Sequence, residues 1–212
     1  MIGDGDRPRL RGVSHRYACY VALVAGAVLL ALARPDRRLP CAVYALGLAA
    51  MYGVSATLHR GGWSPRAFGK LRRADHAMIF FCIAGTYTPF SLLGLRGDAG
   101  MRLMALAWLA CGLGMVRAIA WPHAPRLLTS ALYVAAGWVA IADLGGLRAA
   151  IDPTTFVLIL AGGAVYTLGA MTYLVRWPEP WPRTFGYHEV FHVLIIAGSA
   201  FHFAAVMRLA VA

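Results

Sequence analysis

The sequence predicts an all-α integral membrane protein, a single domain (1–212) of seven transmembrane helices with its N-terminus in the cytoplasm and its C-terminus outside. Three observations predict it. First, 60% of the 212 residues are hydrophobic and only 14% are charged, where a soluble domain carries about a quarter charged residues; the mean hydropathy is +0.63. Second, the chain divides into seven apolar stretches, each close to the ~20 residues that a helix needs to cross hydrocarbon. Third, its basic residues alternate in density from one connection to the next, as the positive-inside rule describes.

The elements follow in order. Residues 1–14 form a basic lead with Arg7, Arg9 and Arg11. The first apolar stretch, 17–33, ends in Ala31-Leu32-Ala33 and so resembles a cleavable signal peptide. Its charged lead is long and the stretch almost spans, so it reads as a retained helix. The remaining stretches are 39–58, 77–95, 101–120, 127–144, 154–175 and 190–211. Clusters of Arg, Pro, Gly and Asp separate them at 34–38, 61–66, 96–98, 121–126, 152–153 and 177–183, and such clusters break helices. Backbone groups inside a bilayer must be satisfied internally. These runs are too long and too continuously apolar for barrel strands, so they are helices.

With the N-terminus inside, Arg7, Arg9, Arg11, Arg16, Arg60, Arg66, Lys70, Arg72, Arg73, Arg117, Arg126, Arg176 and Arg183 fall on the cytoplasmic side. Arg34, Arg37, Arg38, Arg96, Arg102, Arg148 and Arg208 fall outside. That is thirteen against seven of the 20 basic residues, which sets the orientation. The net charge of +11 is therefore read as topology and as contact with anionic headgroups. There is no basic stripe on an amphipathic helix, and nucleic acid is not expected as a partner. Cys19, Cys41, Cys82 and Cys111 lie in or beside apolar segments without a Cys-x-x-Cys pair; they read as packing residues rather than a disulfide framework.

The chemistry concentrates in a few polar residues. His188 and His192 stand four apart, so on a helix they share one face, with Cβ atoms about 6 Å apart. Ser55 and His59 have the same spacing and close the second stretch at its cytoplasmic end. Asp75, beside His76, opens the third there, and His188 and His192 open the seventh. Ionisable groups from three distant parts of the chain thus share one membrane depth, where polar residues are costly and presumed functional. Three neutral imidazoles with one open position is a common catalytic Zn²⁺ set. His59, His188 and His192 are the expected ligands. Asp75 is expected either to bind the metal or to hold its water, with Ser55 donating a further hydrogen bond. Taken alone, Asp75 could instead cap the third helix.

His202 lies about 15 Å deeper along the same helix and is read as a buried hydrogen-bonding histidine rather than a further ligand. His15 and His123 sit at span edges and receive no role; His76 points about 100° away from Asp75. His188-Glu189-Val190-Phe191-His192 matches H-E-x-x-H, in which the Glu is the general base of a metalloprotease. The metzincin extension is missing, because Val193-Leu194-Ile195 follows.

Several of these segments together resemble the hemolysin III family, the bacterial branch of the progestin and adipoQ receptor superfamily. They are Arg11-Gly12-Val13-Ser14-His15, Ser55-Ala56-Thr57-Leu58-His59, Arg73-Ala74-Asp75-His76-Ala77-Met78-Ile79-Phe80, Ala84-Gly85-Thr86-Tyr87-Thr88-Pro89, 188–192 and 198–203. The resemblance implies seven helices with the N-terminus inside, a bacterial inner-membrane location, and zinc held by His59, His188 and His192, with Asp75 holding a water and Ser55 nearby. The superfamily's alkaline ceramidases imply hydrolysis of a lipid amide or ester. The expected function is a zinc-dependent lipid hydrolase with catalytic Asp75 and Ser55; the alternatives are a receptor-like protein with structural zinc and a pore-forming hemolysin.

Overall fold

The protein, described here from a computed structural model that covers residues 8–212 apart from Arg96, contains seven segments long and apolar enough to cross a membrane. Arg7, Arg96 and the first part of the basic lead, assigned above to topology, lie outside the described residues. The helices are α1 (Val13–Leu32), α2 (Arg38–Arg60), α3 (Pro65–Gly94), α4 (Asp98–Ala120), α5 (Arg126–Gly137), α6 (Leu144–Ala150), α7 (Pro153–Val175) and α8 (Tyr187–Val211). Short 3₁₀ turns precede α2 (Pro35–Arg37) and join α5 to α6 (Val139–Asp143).

The broadest contacts join α1 to α2, α2 to α3, α3 to α4 and α7 to α8, and α8 returns to touch α1, α2 and α3. The most enclosed span is α3. Small residues let it approach α2 closely: a Cβ on Gly85 would stand 3.1 Å from the Val43 carbonyl oxygen, and one on Gly47 3.3 Å from the Cys82 Cα. In lipid, where apolar burial gives helices little reason to associate, such close packing is what holds them together. The four cysteines are free, and three of them are buried, in keeping with a packing role.

The third helix starts well before its apolar stretch. Ser64 caps it by accepting from the Ala67 N–H at 3.3 Å, and Pro65 occupies its first turn, where a missing N–H costs nothing. Asp75 is therefore in the helix interior and is not its cap. At the other end of the bundle, Asp152 caps α7, accepting from the Thr155 N–H at 3.1 Å and pairing with Arg208 of α8 at 2.9 Å. The Thr155 hydroxyl and N–H, then Arg208, hold the Asp152 carboxyl down at about 2.

The fifth stretch, expected as one helix over 127–144, is two. The helix stops at Gly137 and the chain passes through a 3₁₀ turn before α6. A break inside a bilayer leaves backbone groups without water. Tyr87 of α3 splints this one: its hydroxyl donates to the Gly137 carbonyl at 2.7 Å and accepts from the Ala140 N–H at 2.9 Å. Trp138 is anchored by its indole N–H to the Thr167 hydroxyl at 2.9 Å.

Tyr87→Phe should therefore destabilise the protein by about 1–3 kcal/mol, the cost of stranding buried polar groups. A thermal melt in detergent would read this as a lowered Tm. An unchanged Tm would mean that the break is satisfied in some other way.

Candidate metal centre

The helices deliver their polar residues to one end of the bundle. His59 sits on the last turn of α2, Asp75 in α3, and His188 and His192 on the first two turns of α8. One ring nitrogen from each of His59, His188 and His192 lies within 4.8 Å of the others. The His59 and His188 Nε2 atoms are 3.2 Å apart. That is close to the edge, about 3.3 Å, of a tetrahedron built with metal–nitrogen bonds of about 2.0–2.1 Å. Two imidazole nitrogens meet at this distance either through one N–H···N bond or around a shared cation. With the His192 nitrogen beside them, the donor set fits a divalent ion, and all three histidines expected from spacing fall in one group.

A cavity of about 300 Å³ opens from this group into the bundle. Asp75, Ser55 and His76 line it beside the histidines, and Ile79, Phe90 and Ile195 supply apolar walls on the way to His202 and Leu147. Asp75 is half-buried and has the Ser55 side chain as its hydrogen-bonding neighbour. It is not one of the three residues whose nitrogens converge. Arg72 and Arg126 line the same cavity. Arg126 lies over the Tyr173 ring at 4.9 Å, and Arg72 donates to His123 Nδ1 at 3.0 Å. His202 is buried and its Nε2 donates to the Ile159 carbonyl at 3.1 Å, as a hydrogen-bonding histidine should.

Two participants were not legible from spacing. The first is His15, given no role above. It is 3% exposed, its Nδ1 is 2.9 Å from the Ser55 Oγ, and its ring stacks on that of His192 at 3.6 Å and 11°. The second is the N-terminal segment. The Arg9 and Leu10 N–H groups donate to the Arg183 and Thr184 carbonyls at 3.1 Å, which straps residues 8–12 across the start of α8. Gly12 has φ +73°, and a Cβ there would stand 2.6 Å from the His59 Cβ. Only glycine meets both conditions.

The strap also decides the H-E-x-x-H match. Glu189 is fully buried, but it accepts from the Gly186 N–H at 2.8 Å and pairs with Arg11 Nε at 2.7 Å. It is absent from the cavity lining. Its carboxylate caps the start of α8 through the Gly186 N–H and ties the strap to the helix; it is not placed to act as a base at the histidines.

Comparison with known proteins agrees with this architecture. The family model described as "Haemolysin-III related" matches residues 5–203. "Hemolysin-3" of Bacillus cereus is 32% identical over 166 residues, covering 78% of this chain and 72% of the relative. "Heptahelical transmembrane protein ADIPOR2" of Oryza sativa subsp. japonica is 30% identical, covering 80% and 81%. "Monocyte to macrophage differentiation factor" of Homo sapiens is 21% identical, covering 92% and 81%.

Removing one member of a buried ion pair orphans the other charge and costs about 3–5 kcal/mol. Glu189→Gln and Arg11→Met should each lower stability on this scale. The double variant should lose less than the two single losses combined, because no charge is left unpaired. Denaturation of the four proteins in detergent measures the coupling. Strict additivity would show that the pair is not an interacting unit.

Proposed function

Because the chain belongs to the haemolysin-III-related family and carries three convergent histidines at the head of an apolar cavity, we propose that this multi-pass membrane protein is a zinc-dependent hydrolase of a lipid amide or ester. The observation that carries the reading is the opening of the histidine group into a cavity that also holds Asp75 and Ser55. A purely structural ion is commonly closed off by a fourth protein ligand. The basic residues flanking this end favour the cytoplasmic face of the inner membrane.

His59, His188 and His192 would hold the ion. Bound there, zinc supplies Lewis-acid polarisation of a carbonyl and lowers the pKa of water toward about 7. The chain's own groups do the rest. Asp75 takes the proton from the attacking water and returns it to the departing amine or alcohol, so that water and the lipid yield a fatty acid and that amine or alcohol. Ser55 orients the Asp75 carboxylate. The apolar walls receive the acyl chain, and the cationic Arg72 and Arg126 receive a polar headgroup.

A structural zinc in a receptor-like protein is the second reading. It is favoured by the way His59 and His188 join α2 to α8 at one end of the bundle. The name of the Bacillus relatives suggests lysis of membranes as a third, with no pathway of charged groups through the spans among the described residues to favour it.

Elemental analysis of protein purified without chelator should find about one zinc per chain. His188→Ala/His192→Ala should lose it. Against a panel of ceramides and phospholipids, the wild type should release fatty acid, and Asp75→Asn should be slower by about 10²–10⁴-fold while keeping its metal. Metal without turnover would favour the structural reading; absence of metal would remove the mechanism altogether.

A further inference from the structure

His15 stands at the meeting point of two arrangements that the histidine group needs. One is the face-to-face stack on His192, 3.6 Å between centroids. The ring of His192 is held on one side by this stack, so its rotation about χ2 is restricted. The other is the 2.9 Å hydrogen bond between His15 Nδ1 and the Ser55 hydroxyl. Ser55 in turn neighbours the Asp75 carboxyl. On the proposed hydrolase reading Asp75 acts as an ionised base, and an ionised carboxylate can only accept. A Ser55 O–H that donates to it leaves the Ser55 oxygen to accept from His15 Nδ1–H. In that arrangement the donors run from His15 to Ser55 to Asp75, across α1, α2 and α3. Tyr52, edge-on to the His15 ring at 5.0 Å, closes the pocket around it.

We propose that His15 is a positioning residue with two separable effects. Its ring holds His192 in the orientation that ligates the metal, and its Nδ1–H sets the Ser55 hydroxyl that orients Asp75. It is not a ligand: its ring lies parallel to that of His192, and it is outside the group of three convergent nitrogens. The inference rests on the zinc-hydrolase reading for the second effect, and for the first only on metal binding.

Three variants separate the effects. His15→Phe keeps a stacking ring and loses the donor. His15→Asn keeps a donor and loses the ring. His15→Ala loses both. Each is checked for monodispersity and melting temperature, loaded with zinc or with cobalt(II), and measured for metal release to a chelator, the cobalt d–d spectrum, and kcat and KM. Outer partners of metal ligands are worth about 10–100-fold in affinity or activity. His15→Asn should release metal about tenfold faster, with a shifted cobalt spectrum. His15→Phe should keep wild-type release and spectrum, but lose about tenfold in kcat with KM little changed; His15→Asn should regain part of that kcat.

Wild-type release and spectrum in both His15→Asn and His15→Ala would overturn the stacking role. Wild-type kcat in His15→Phe would overturn the donor chain. If His15→Ala fails to fold, the other two variants still decide. A wild type that holds zinc but turns over no lipid defeats the hydrolase reading and the donor chain with it, and leaves the stack to be judged by release and spectrum. A wild type that holds no metal defeats both.

Discussion

Everything at this site follows from the expense of placing imidazoles inside an apolar bundle. A polar ring in such surroundings must find a partner or cost several kcal/mol. His15, His59, His188 and His192 find one another: two nitrogens meet at 3.2 Å and two rings stack at 3.6 Å. His15 also bonds to the Ser55 hydroxyl at 2.9 Å. The packing of α2 and α8 at this end brings three ring nitrogens within 4.8 Å of one another, a donor set able to hold a cation, and a cavity opens beside it.

The same accounting explains the strap. Glu189 is fully buried on the first turn of α8, and an unpaired buried carboxylate is prohibitive. Arg11 answers it from a segment that passes over the start of the helix. To get there, the chain must turn against His59 with almost no clearance, and Gly12 makes that turn. The ion pair, the glycine and the entry of α1 that carries His15 are therefore one constraint. A change in the strap would reach His59 through Gly12 and His192 through His15.

Much of this was legible in the sequence because it is local. The i,i+4 spacing placed His188 and His192 on one face, and the closing position of His59 in its stretch brought it to the same end of the bundle. Ser64-Pro65 was a readable helix start, but apolar content drew the expected boundary to 77, and so Asp75 could be mistaken for a cap. The missed features all depend on partners distant in sequence. The break after Gly137 is tolerated only because Tyr87 of another helix bridges it. The role of Glu189 depends on Arg11, and that of His15 on Ser55 and His192. A single chain read by pattern contains no term for such pairings.

The deep half of the bundle contrasts with the end that holds the three histidines. The Ser199 hydroxyl accepts from Tyr52 at 2.7 Å, meets the Tyr166 hydroxyl at 2.7 Å, and donates to the Ile195 carbonyl at 2.9 Å. With one proton and two lone pairs, it has nothing left to offer. His202 gives its Nε2 proton to Ile159, and a side chain at Gly162 would collide with its ring. These groups lock α2, α7 and α8 together. The hydrogen bonds they make lie within the protein, and Phe90 and Leu147 line the cavity beside them. At the other end, three histidine nitrogens and Asp75 gather at the head of the same cavity. On the proposed lipid-hydrolase reading, that arrangement would orient an amphiphile with its tail toward His202 and its head toward the three histidines.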